Sequence, residues 1–162
     1  MKLRLISTLS IICLFLFTSL TSINRQKSDY NFLKERLKNT KSFTIEVIKA
    51  MPESDFLYKP NKDVRSFSAL ASHTVYSIEW NIELMKGTPI KWEPGNEDRF
   101  SKTELIKYAN KQFNSLNSFI NDAKKSQTLT EKIIDVLNHN AHHRGQMTTY
   151  LRLLGIKPPA YI

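Results

Sequence analysis

Apolar residues return every three or four positions along most of this chain, and nowhere do they alternate for long enough to make a strand. Residues 29–51 hold no Pro or Gly and stop at Pro52. Tyr30, Leu33, Leu37, Val47, Ile48 and Met51 fall on roughly one face of that run, which predicts a first amphipathic helix. The following PESDFLYKPNKDVR, with Pro52 and Pro60, is a loop. A second helix is predicted from Ser66 as N-cap to Lys86, with Gly87 as its stop. Its stripe is Leu70, His73, Ser77, Trp80 and Leu84. The connection GTPIKWEPGNEDRF is rich in Pro and Gly, and Trp92 and Phe100 are the residues that would fold it back over the helices.

Ser101-Lys-Thr-Glu104 matches a capping box and opens a third helix. Ile106, Ala109, Phe113, Leu116, Ile120 and Ala123 form its seam, the cleanest in the chain. Thr128-Leu-Thr-Glu131 is read as a second capping box, opening a helix that runs to Leu154 and is closed by Gly155. Four helices joined by short loops predict an all-α four-helix bundle and argue against an α/β fold.

The first 24 residues change the picture. Lys2 and Arg4 precede an uncharged run from Leu5 to Ile23 built mostly of Leu, Ile and Phe, and small residues follow at Ser19, Thr21 and Ser22. That order is the layout of a secretory signal peptide, with cleavage expected around residues 21–24. An uncleaved N-terminal anchor through residues 5–24 is the alternative, since a span needs about 20 apolar residues; a buried core strand is the third. Cys13 follows the large Ile12, which does not suit a lipoprotein site, so it reads as a small hydrophobe. Residues 28–162 remain as one domain, without a cysteine and therefore without disulfide, thiolate ligand or nucleophilic thiol. Export, periplasmic or secreted, is the expected location.

The whole chain has 162 residues, with 24 Lys+Arg against 15 Asp+Glu and a formal charge of +9. Lys34, Lys38, Lys41 and Lys49 crowd the first helix, yet Glu35 and Glu46 are interspersed among them. A solvated helix face explains this better than a polyanion-binding surface, and no nucleic-acid-binding motif is present. Nucleic acid is not expected as a partner, and membrane contact is expected only if the leader stays attached.

Three of the four histidines lie within five residues, at His139, His142 and His143. His139 and His143 are one helical turn apart and about 40° apart in direction, so both can reach one cation; His142 is displaced about 60° the other way. His73 lies on the inward stripe of the second helix, where an imidazole needs a polar partner or a metal. Three imidazoles from two facing helices would leave coordination positions open, as catalytic zinc sites do. The plainer alternative is a hydrogen-bonded core histidine and an exposed pair.

HNAHHRGQ, beginning at His139, resembles the His-x-x-x-His-Arg-Gly-Gln signature of the DinB/YfiT-like superfamily of metal-dependent four-helix proteins. FLYKPNKDVRSFSALASHTVYSIEW is similar to that family's loop and single-histidine second helix, and LRLLGIKPPAYI to its ending, so the resemblance covers roughly residues 28–162. It implies a metal triad of His73, His139 and His143, with zinc or nickel as the ion and His142 as a neighbour. It implies helix-packing roles for Arg144 and Gln146, a close helix approach at Gly145, and a homodimer, since many relatives are dimers. Asp135, one turn before His139, is either an outer carboxylate orienting that ring or, more simply, a solvated Asp. KKSQTL makes a shorter third connection than is usual in the family, and the leader is unusual beside cytoplasmic thiol-dependent relatives.

A divalent cation on three neutral imidazoles keeps its full charge and can acidify a water or activate a thiol. The function expected is that of a metal-dependent enzyme acting on a small molecule, of thiol S-transferase or hydrolase type. The alternative is an exported bundle that holds metal or ligand without turnover. No Glu adjoins His73 as in His-Glu-x-x-His proteases, which disfavours proteolysis.

Overall fold

The computed structural model describes residues 31–88, 90, 91 and 97–161; the leader, Tyr30 and Trp92 lie outside the described residues. The chain divides into two compact units, Met1–Glu35 and Arg36–Ile162. Residues 31–35 of the smaller unit are helical, with Leu33 buried as its periodicity predicts. Within the larger unit, residues 36–50 form α1, Phe67–Lys86 α2, Lys102–Asp122 α3 and Gln127–Leu153 α4. Among the described residues there is no strand, as a four-helix bundle requires. None of the described helices is long and apolar enough to cross a membrane.

Each helix begins and ends for a local reason. Ser66 caps α2, its hydroxyl accepting the Ala69 amide at 3.0 Å, and Gly87 closes it at φ 77°, a left-handed conformation that glycine adopts without a Cβ clash. Ser101 and Glu104 form the reciprocal capping box that their spacing predicts for α3. For α4 the cap is Ser126 and not Thr128. The chain is extended at Ser126, whose hydroxyl accepts the Leu129 amide at 3.1 Å, so Thr128 already lies inside the first turn. The Glu131 carboxylate that would complete the expected box instead accepts from Gln127 Nε2 at 2.9 Å.

All four helices feed one apolar cluster. Phe43, Val47 and Ile48 of α1 meet Leu70 and Val75 of α2, Leu105 and Ala109 of α3, and Met147 and Leu151 of α4. On α3 the seam turns by one residue from the predicted one: Leu105 is fully buried and Ile106 only partly. Ala109, Phe113, Leu116 and Ile120 are buried as expected, while Ala123 is already the C-cap. The α2 stripe does not stay inside to its end. Leu70 and Ser77 are buried, His73 is half-buried, and Trp80 and Leu84 are exposed by 39% and 41%.

The connection between α2 and α3 is tied down at its far end. Glu97–Arg99 makes a single 3-10 turn. Ser66 Oγ donates a short hydrogen bond to Asp98 Oδ1, and Arg65 Nε pairs with Glu97 Oε2 at 2.8 Å. Phe100 then stacks on Tyr108 with ring centroids 4.9 Å apart. The turn is thereby held at the start of α2, close to His73.

Candidate metal centre

α2 packs against α4, and that contact brings together three side chains remote in sequence. His73 comes from α2 and His139 and His143 from successive turns of α4. One ring nitrogen from each lies within 4.8 Å of the others. The Nε2 atoms of His139 and His143 are 3.1 Å apart, and the His73 ring centroid is 5.3 Å and 4.8 Å from those of His139 and His143. His142 does not join them. It is exposed, with Nε2 3.4 Å from the Gln146 side-chain amide.

A hydrogen bond orients one of the rings, and a carboxylate stands beside a second. His143 Nδ1 meets Gln146 Oε1 at 2.8 Å, so the N–H sits on Nδ1 and the Nε2 lone pair faces His139. His73 Nδ1 lies 3.2 Å from Glu97 Oε1, a carboxylate held from its other side by Arg65. His139 Nδ1 is buried with no hydrogen-bond partner among the described residues. Asp135 therefore does not orient His139; it is exposed and lines a cavity, as a solvated Asp would.

Electrostatics keep the cluster uncharged. Burial, then the His143, His73 and His142 imidazoles, push the His139 pKa down to about 4. Burial also lowers His73, with help from Arg65 and His143 and against the pull of Glu97. His143 is lowered chiefly by burial, against its hydrogen bond to Gln146. Each ring is thus neutral at pH 7 and offers a lone pair, which is the state a metal needs. Tetrahedral ligands about 2.0–2.1 Å from a cation stand about 3.3 Å from one another, close to the 3.1 Å between His139 and His143. The residues present fit a divalent cation.

A cavity of about 370 Å³ adjoins the histidines, lined by His73, Ser77, Trp80, Asn81, Asp135 and His139. The exposed end of the α2 stripe thus forms a wall of this cavity and not part of the core.

Two contributors escaped the sequence reading. Glu97 lies in an irregular connection 24 residues beyond His73 and is delivered by the Ser66–Asp98 and Arg65–Glu97 contacts, which no periodicity announces. Gln146 shares a helix with His143 at a spacing of three, so its bond was legible as a local pair, yet helix packing was the role expected. Arg144 does pack, its guanidinium 4.8 Å over the Phe43 ring of α1. Gly145 does not serve close approach: a Cβ built there would meet nothing within 4 Å.

Fold and site together define a class, an all-helical protein that presents three converging imidazoles from two helices. Residues 118–161 match the DinB family model, consistent with the DinB/YfiT-like assignment drawn from the sequence. The match spans all of α4, with His139 and His143, and does not reach His73. No curated protein matches the chain.

Proposed function

We propose that this protein is a divalent-metal-dependent enzyme acting on a small molecule, of thiol S-transferase or hydrolase type. His73, His139 and His143 would hold the ion, zinc or nickel. The observation that carries this reading is the meeting of three neutral imidazoles, two of which, His73 and His139, line a cavity of about 370 Å³. A cation held by three uncharged nitrogens supplies a Lewis acid with open positions facing that cavity. Glu97 and Gln146 keep His73 and His143 in the orientation that turns a lone pair inward. Trp80 gives the substrate an apolar wall, and Asn81 and Asp135 give it polar contacts. Asn81 Nδ2 is already donated to the Ser77 carbonyl at 2.7 Å, which leaves its Oδ1 as an acceptor.

A second reading, an exported binder without turnover, is favoured by the same cavity's lining. Apart from the histidines, its only ionisable lining group among the described residues is the exposed Asp135. Export itself rests on the composition of residues 1–24. A processed protein should show an intact mass starting near residues 22–25, and a mass including Met1 with membrane association favours the anchor.

Elemental mass spectrometry on the chain, purified without an affinity-metal step, tests the proposal. About one zinc or nickel per chain is expected. His73→Ala and His143→Ala should lose it, and His142→Ala should keep it. No metal even after reconstitution, or loss in His142→Ala as complete as in His143→Ala, overturns the assignment. Product formation from thiols and hydrolysable substrates then separates the enzyme from the binder, which saturates without product.

A further inference from the structure

A second cavity, of about 300 Å³, lies along α4 and shares no lining residue with the one at the histidines. Among the described residues its charged lining groups are Arg144 and Arg152, and none of those lining residues carries a carboxylate. Arg144 is 6% exposed, and its Nη1 is buried with no hydrogen-bond partner among the described residues. The Phe43 ring covers one face of the guanidinium at 4.8 Å, and Tyr161 meets Phe43 edge-on at 5.6 Å. An aromatic face attracts the cation but accepts none of its in-plane N–H groups. A guanidinium cannot escape by losing its proton, although burial here presses its pKa down. A buried donor without an acceptor is unfavourable, and the cavity that Arg144 itself lines is where an acceptor can be supplied. Gly145, also on the wall, leaves open space where any side chain would project.

We propose that this cavity is a binding site for a small oxyanion, a phosphate or carboxylate group, taken in the plane of the Arg144 guanidinium with Arg152 as a second cation. The planar fork of an arginine matches two oxygens of such a group in parallel. The walls of Phe43 and Tyr161 suit an apolar body attached to the anion. This site is independent of the metal reading and stands or falls without it.

Calorimetry and thermal unfolding of the metal-free full chain, titrated with sodium phosphate and separately with sodium acetate against sodium chloride at matched ionic strength, test it. Saturable binding of one anion per chain with a raised Tm is expected. Phosphate binding more tightly than acetate identifies a phosphate-bearing ligand and the reverse order a carboxylate, and either upholds the site. Arg144→Lys should weaken binding about 10-fold or more, because the second parallel hydrogen bond is lost. Arg152→Gln and Gly145→Leu change exposed positions, so they keep the test open should Arg144→Lys fail to fold. The first should weaken binding and the second should block it. Stabilisation no greater than with chloride overturns the proposal. So does binding that survives both Arg152→Gln and Gly145→Leu, or that disappears in His139→Ala while those two retain it.

Discussion

Lowering the pH from 7 to 5 during a metal titration probes the histidine cluster more sharply than the affinity at neutral pH does. A proton on any of the three rings must leave before its lone pair can accept a cation, so each ring weakens the apparent affinity once the pH falls below its pKa. An ordinary imidazole, with a pKa near 6.5, would weaken it about 25-fold over those two units, and three such rings about 10⁴-fold. His139 is held at about 4 by burial and by its three imidazole neighbours, so it contributes a factor of only about 1.1. His73 and His143 are both lowered as well, so together they weaken binding by less than the roughly 600-fold of two ordinary rings. The whole loss between pH 7 and 5 should therefore stay under about 600-fold. Calorimetric titration of the metal-free protein with zinc at the two pH values measures it. A loss near 10⁴-fold would show three solvated histidines and refute the buried, mutually repelling cluster. The same shifts fix a sign for the metal-free protein. Its histidines refuse protons that the unfolded chain accepts below pH 6.5, so stability should fall as the pH drops from 6.5 towards 4.

Glu97→Gln removes the carboxylate beside His73 and should weaken metal binding about 10–100-fold, whereas Asp135→Asn should leave the affinity unchanged; equal effects would contradict the orienting role of Glu97. Gly145→Ala should stabilise the fold by about 0.5–1 kcal/mol and raise Tm, because the residue is helical, has no positive φ and has open space at its Cβ. A lower Tm would mean that the glycine is needed for a close contact. Phe113→Ala removes a ring only 1% exposed and should cost about 3–5 kcal/mol in urea unfolding with an unchanged slope; a cost under about 1 kcal/mol would place Phe113 outside the core.

What the sequence determined by itself was most of what is set within one helix or at its ends. The 3.6-residue period placed the buried faces to within about one residue, except where the α2 stripe leaves the core at Trp80 and Leu84, and the caps at Ser66 and Ser101 and the closures at Gly87 and Gly155 were readable because each involves atoms only a few residues apart. The alignment of His139 with His143 was legible for the same reason, since an angle about one helix axis depends on spacing alone. Where two local solutions competed, as between Ser126 and Thr128 for the start of α4, spacing could not choose between them. The hydroxyl that meets the Leu129 amide did.

Only the tertiary structure decided which surfaces meet. The register of α2 against α4 follows from the summed packing of four helices, and it sets both the approach of His73 to the α4 pair and the emergence of Trp80 into a cavity. The arrival of Glu97 depends on contacts to Arg65 and Ser66, 32 residues away in sequence, and the burial of Arg144 depends on a ring from α1. Periodicity carries no information about any of these, because it fixes directions around one axis and says nothing about the distance to the next.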